Sequence, residues 1–303
     1  MRNIGRDARA LLLGGSLFGC VLAPACSSEG RHPTDGGNVL LMDASNSSST
    51  DGGTAGGCSD EAKLVYLVDS NNDFLSFKPD TLTFTKIGTL NCPTFGGTPY
   101  SMGIDRTPTA WVLYSTGEVF KVSTANASCE ATSFALDQKG FHTFGMGFAS
   151  NTSGSTDETL YVAGGLEFTD GSPASFGTLA LPSLTIAKSG SVAGWPELTG
   201  TGEGKLWGFF PSATVTPKVS EIDKSTGASG TSFSLPSLSG TPNSWAFAFW
   251  GGDFFVFLQR QQDSSTSVYK VKGGTGVMST ALSNTGRNIV GAGVSTCAPT
   301  TIL

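Results

Sequence analysis

From Cys58 onward the apolar residues of this chain fall in short runs rich in Val, Ile, Phe, Tyr and Trp, each broken by Gly, Ser, Thr, Asn or Asp. No 3.6-residue spacing lasts long enough to make a helix, so the pattern predicts strands and turns. The runs also repeat at a long period. One strand type reads YSMGIDR (100–106), FGMGFAS (144–150), ELTGTGE (197–203), WAFAFWG (245–251) and NIVGAGV (288–294). Its centre is nearly bare: Gly103, Gly147, Gly200, Ala248 and Gly291, spaced 44, 53, 48 and 43 residues apart. A second type carries an aromatic at Tyr66, Trp111, Tyr161, Trp207 and Phe255, at spacings of 45, 50, 46 and 48. A third ends in a turn (FKPDT, VSTAN, LPSLT, IDKST, VKGGT), and a fourth follows it, as in TFTKIGTL (83–90) or ATSFAL (131–136).

Four strands in each of five repeats predict an all-β fold, a five-bladed β-propeller. The bare centre fits the innermost strand, where five backbones crowd the axis and a large side chain would clash. Its larger neighbours, Met102, Ile104, Met146, Phe148, Phe247 and Phe249, then point to the gaps between blades. The strand at Tyr66 has no inner strand before it, and the one at Gly291 has no aromatic strand after it. Each supplies what the other lacks, so residues 288–294 are expected to complete the first blade and close the ring.

The N-terminus reads differently. Arg2, Arg6 and Arg9 precede an uncharged, mostly apolar run from Ala10 to Leu22, too short to cross a bilayer, which takes about 20 residues. It ends in Ala23-Pro24-Ala25-Cys26. This resembles the lipobox of bacterial lipoproteins, with Ala23 in place of the usual leucine. The resemblance implies a signal peptide over 1–25 and lipidation of Cys26. An ordinary secretory signal peptide is the simpler alternative, and Leu17-Phe18-Gly19-Cys20 a second lipobox candidate. Residues 26–57, rich in Gly, Ser, Asp and Thr, bury too little to offset their ordering entropy and read as a flexible tether to the propeller at 58–303.

With Cys20 removed and Cys26 acylated, four cysteines remain: Cys58, Cys92, Cys129 and Cys297. In an oxidising compartment they make two disulfides, with three connectivities open. Ring closure brings Cys297, just past the last strand, to Cys58, just before the first. Cys92 then pairs with Cys129 by elimination.

Charge narrows the partners. The chain carries a net −6, and the segment after the cleavage site −8, which repels phosphate backbones and argues against nucleic acid. The whole pattern resembles the five-bladed propeller lipoproteins of bacterial envelopes, of a kind common in myxobacteria. That resemblance implies an exported protein anchored through Cys26, at the outer membrane or cell surface, with a monomeric head and a glycan or envelope protein as partner. Propellers of this shape include lectins and glycosidases, so the fold alone assigns no activity.

No cofactor or metal site emerges. His32 and His142 are the only histidines. In DSNNDF (69–74), Asp69, Asn71 and Asp73 have calcium-loop spacing, but Phe74 stands where such a loop needs Gly and Asp80 where it needs Glu, so a structural turn is expected. TGTGEGKL (199–206) lacks the first Gly and the Ser or Thr of a phosphate loop. The remaining candidate is the channel mouth. Counting three residues back from each bare centre gives Tyr100, Phe144, Glu197, Trp245 and Asn288; five back gives Thr98, His142, Trp195, Asn243 and Gly286, with Arg287 between. Trp195 and Trp245 beside Glu197, Asn243 and Arg287 suit a sugar, whose apolar faces stack on indole while its hydroxyls meet polar groups. Tyr100, His142 and Asn288 complete the expected ligand site. The competing expectation is that these aromatics plug the channel or pack between blades. A glycosidase needs two carboxyls roughly 5–9.5 Å apart, and Asp105 and Glu203 fall too far along their strands to pair with Glu197. A non-catalytic binding or scaffolding module is therefore expected, with a glycan-active enzyme or a purely structural component as rivals.

Overall fold

A computed structural model describes residues 57–301. The signal peptide, Cys26 and nearly all of the tether lie outside the described residues.

Twenty strands form five four-stranded antiparallel sheets. β1 (Val65–Asp69), β2 (Asp73–Lys78) and β3 (Thr83–Thr89) belong to the first blade. The second holds β4 (Pro99–Ile104), β5 (Thr109–Tyr114), β6 (Val119–Ser123) and β7 (Cys129–Ala131). The third holds β8 (Thr143–Ser150), β9 (Glu158–Gly165), β10 (Ala174–Ala180) and β11 (Thr185–Val192). The fourth is β12 (Glu197–Gly200), β13 (Leu206–Phe210), β14 (Lys218–Ile222) and β15 (Ser229–Ser234), and the fifth β16 (Pro242–Trp250), β17 (Asp253–Arg260), β18 (Ser267–Lys272) and β19 (Met278–Leu282). The last strand, β20 (Ile289–Val294), pairs with β1 and makes the inner strand of the first blade. The protein is a five-bladed β-propeller closed by its own C-terminal strand, as the repeat predicts.

The core is divided among the blade contacts. Five apolar clusters each join two neighbouring blades. Met102 and Ile104 of β4 pack with Val68 and Phe74 of the first blade, for example, and Phe247 and Phe249 of β16 with Trp207 and Phe209 of the fourth. The large residues flanking the bare centres do fill the gaps between blades. The bare centres serve backbone approach: a Cβ on Gly147 would lie 2.9 Å from the Leu198 carbonyl of the next inner strand, and one on Gly200 only 2.1 Å from the Phe148 oxygen.

Both disulfides join as the closure argument predicts, Cys58 to Cys297 and Cys92 to Cys129, with Cα–Cα distances of 5.7 and 5.1 Å. They are the mark of an exported chain. Among the described residues no helix is long and apolar enough to cross a membrane.

One strand departs from expectation. ATSFAL does not form the fourth strand of its blade; β7 stops at Ala131. The Thr132 hydroxyl takes the Val119 carbonyl at 2.5 Å in place of a further ladder amide, and the chain turns inward to seat Phe134 against Phe144 of the next blade.

Candidate functional site: the mouth of the wheel

Each inner strand begins at one end of the ring, the mouth, and runs to the other. The registers show which residues share a level. Trp111 faces Gly103, Tyr161 faces Gly147 and Phe255 faces Ala248, so the aromatic and the bare centre coincide in three blades. In the fourth, Trp207 faces Thr199, and in the first, Tyr66 faces Gly293. The bare centres Gly200 and Gly291 therefore sit one residue below and two above their counterparts. Counting back from them, as sequence alone must, mixes three levels.

Corrected for register, Tyr100, Phe144, Pro196, Trp245 and Val290 share the upper level. One step deeper come Ser101, Gly145, Glu197, Ala246 and Gly291, whose partners on the neighbouring strands are Leu113, Ala163, Phe209, Phe257 and Val68. Glu197 is thus the one large side chain in a layer of glycine, alanine and serine. A cavity of about 260 Å³ opens at this end, lined by Tyr100, Glu197, Asn243, Trp245, Asn288 and Val290 among others. That is slightly below the ~300–1,000 Å³ usual for small-molecule pockets and suits a single ring rather than a long chain.

Three inner strands carry a β-bulge at the mouth. The extra residue is Tyr100 in β4, Asn243 in β16 and Val290 in β20, and all three line the cavity. A bulge leaves a residue out of the ladder and re-aims its side chain, which is how strands are fitted to sites.

The electrostatics centre on Glu197. It is 2% exposed, and the Ser101 hydroxyl donates to its Oε2 at 2.8 Å across the third blade, while the Met146 amide donates to the same hydroxyl at 3.2 Å. Burial pushes its carboxyl well above the ordinary value, against the opposing pull of Ser101 and of the Met146 and Leu198 amides. Burial, with help from the Glu197 charge, also raises the Tyr100 phenol to about 12. Glu197 is the only acid on the five inner strands, which carry no base. Among the described residues it enters no ion pair. Of the polar groups above it, Asn288 accepts from the Ser244 hydroxyl through Oδ1 and from the Ser70 amide through its carbonyl, and Asn243 donates to Gln259 at 3.2 Å.

Of the eight residues expected to bind ligand, Tyr100, Glu197, Asn243, Trp245 and Asn288 come together around the cavity. Trp195, His142 and Arg287 are not among its lining residues. Trp195 is buried between the third and fourth blades, its indole N–H without a hydrogen bond among the described residues. His142 Nδ1 lies 2.7 Å from Asp137. Arg287 reaches Asp69 at 3.0 Å and Asp73 at 3.3 Å. Asp69 also accepts the Asn71 and Asp73 amides, so DSNNDF is a hydrogen-bonded turn. Phe144 is fully buried in the core. Sequence reasoning missed Phe168, from the β9–β10 loop, whose ring stands 5.8 Å from Trp195 and 5.2 Å from Trp245 and keeps the two indoles from forming one open platform. It also missed Ser101, Ser244 and Val290; the aromatic of each following strand, used as the register mark, would have placed Ser101 and Glu197 on one level.

The opposite end is tied together by hydrogen bonds. The Arg106 amide donates to Glu158 Oε1 at 2.8 Å, the Thr296 hydroxyl to Oε2 at 2.7 Å, and the Arg106 guanidinium to Thr296 Oγ1 at 3.0 Å and to Cys58 Sγ at 3.2 Å. Asp105 is held there by the Thr107 and Thr109 amides and the Trp111 indole.

Fold and site together define a closed five-bladed propeller with an accessible cavity at one end. No family model matches the chain, and no curated protein does. Among solved structures, it is similar to a protein of unknown function from Bacteroides caccae, at 14% identity and a TM-score of 0.38, covering 73% of each chain. A chain of a mitotic checkpoint complex matches at 9% identity and 0.37, over 72% of this chain and 60% of that one. At these scores the description of the fold rests on the protein's own sheet order.

Proposed function

We propose that this protein is a non-catalytic binding module of the bacterial envelope that takes a carbohydrate in the mouth cavity. It is carried on the tether from a lipid anchor at Cys26, at the outer membrane or cell surface, in the manner of the myxobacterial propeller lipoproteins it resembles. The observation that carries the reading is the pairing of half-buried aromatics, Tyr100 and Trp245, with the polar groups of Asn243, Asn288 and Glu197 around a ring-sized space. Aromatic faces and converging hydrogen-bond groups are what sugar recognition requires. Two further features support it. Among the described residues no second carboxyl lines the cavity, which disfavours the two-acid glycosidase mechanism. The Cys58–Cys297 disulfide lies at the end opposite the mouth, away from the cavity. The test is a glycan panel read by tryptophan fluorescence and calorimetry. Saturable binding by at least one sugar, lost in Trp245→Ala, is expected; no binding, or binding unchanged in Trp245→Ala, overturns it.

A protein partner is the second reading, favoured by a separate observation. Five of the six large apolar side chains that are exposed among the described residues (Phe95, Leu136, Leu166, Phe168 and Val215) belong to mouth-end connections. Their gathering on one face is the sign of a protein contact surface. A specific crosslink lost in Phe95→Ser/Leu166→Ser but kept in Trp245→Ala supports this reading over the first.

A further inference from the structure

Glu197 poses a problem that a neutral sugar does not solve. An acid in a layer of glycine, alanine and serine adds nothing to packing that an apolar residue would not add more cheaply, because burying a carboxylate without a cation is costly. Here one hydroxyl is its side-chain partner, it enters no ion pair among the described residues, and it forms part of a cavity wall. Tyr100 and Trp245 line the same cavity, and aromatic rings attract cations through their quadrupoles. Asn243, Asn288 and Ser244 add neutral hydrogen-bonding groups, and among the described residues no Lys, Arg or His lines the cavity. The net −6 of the chain draws positive guests and repels negative ones.

We propose that the mouth cavity recognises an ammonium group, with Glu197 as its counter-charge and Tyr100 and Trp245 as its aromatic walls, so that the ligand is a sugar bearing a free amine. The amine specificity rests on the carbohydrate reading above but can be tested apart from it. Tyr100 is the other titratable group facing Glu197; β8, β13, β16 and β20 carry none. An arriving ammonium therefore acts on one acid alone. Glu197 binds as carboxylate, so binding displaces to solvent whatever proton the raised carboxyl retains at the assay pH, one per ligand at most.

The experiment is calorimetry on the exported chain, in two buffers of different ionisation enthalpy at one pH, with glucosamine, glucose, N-acetylglucosamine and choline as probes. Glucosamine should bind at least 10-fold more tightly than the two neutral sugars and release protons. Glu197→Gln should abolish both the preference and the release. If that variant does not fold, the wild-type preference and its proton release still decide the matter. Equal or tighter binding of glucose or N-acetylglucosamine, or a preference that survives Glu197→Gln, overturns the inference, as does the failure of both amines to bind. Binding of choline with no sugar bound upholds the ammonium site and overturns the carbohydrate reading alone.

Discussion

Each end of the wheel holds a glutamate, buried at the mouth and half-buried at the far end, and the two are treated differently. At the far end both oxygens of Glu158 are taken, one by the Arg106 amide and one by the Thr296 hydroxyl, with a guanidinium beside them and the Cys58–Cys297 bond next to it. At the mouth Glu197 has the Ser101 hydroxyl, the Met146 and Leu198 amides and a place in the cavity wall. Burial raises both carboxyls above the ordinary range. What separates them is where the remaining hydrogen-bonding capacity goes. Glu158 spends both oxygens on groups beside the Cys58–Cys297 bond, whereas Glu197, held by Ser101 and the Met146 and Leu198 amides, stands in the wall of the mouth cavity with no cation beside it among the described residues. An acid bound through both oxygens by its own chain is a fastener; one set in a cavity wall without a cation is a place for a guest.

The comparison is open to attack at several points. The largest effect is expected at the fastened end: Cys58→Ser/Cys297→Ser frees a loop of some 240 residues and should cost about 5 kcal/mol, read as a lower urea midpoint. Removal of Cys92–Cys129, which spans 37 positions, should cost about 4 kcal/mol by the same reasoning. Equal stability of the closed and open chains would show that the clasp fastens nothing. At the mouth the steep cost is steric. A Cβ on Gly145 would fall 2.1 Å from the Pro196 carbonyl, so Gly145→Ala should lose about 1–3 kcal/mol or more in the same assay.

Smaller changes separate the two acids directly. Glu158→Gln leaves one acceptor where two donors converge and should cost about 1–3 kcal/mol. Glu197→Gln keeps an acceptor for Ser101 and relieves the burial of charge, so it should not destabilise at neutral pH. Its pH dependence has a fixed sign. A carboxyl whose folded-state value is raised loses stability as pH climbs above the unfolded value of 4.5, because the unfolded chain releases its proton first. The stability advantage of Glu197→Gln over wild type should therefore grow with pH above 4.5 and vanish below it, measured by urea melts across that range. An advantage that shrinks with rising pH would show that the mouth acid is ionised and well partnered after all.

Much of this fold was legible along the chain. The bare centres and aromatic strands fell on β4, β8, β12, β16 and β20 and on their neighbours, and the two unmatched strands paired as the repeat demanded. The site was half legible. Five of its expected residues meet at the cavity, yet Trp195 went into the core and Arg287 to Asp69 and Asp73. Both sit next to the right strands; which face an individual side chain takes depends on packing from the adjoining blade, and that is not written locally.

What the sequence determined by itself was the closed ring and its stitches. Periodic small and aromatic residues admit one way of stacking five sheets about an axis, and four cysteines then have one sensible pairing. What tertiary structure decided was depth. The three bulges at Tyr100, Asn243 and Val290 and the offset registers of the first and fourth blades set Glu197 below the rim. A shift of one residue reverses the face on which a strand's side chains lie. Such shifts are settled by how neighbouring blades crowd at the axis, which no local pattern records.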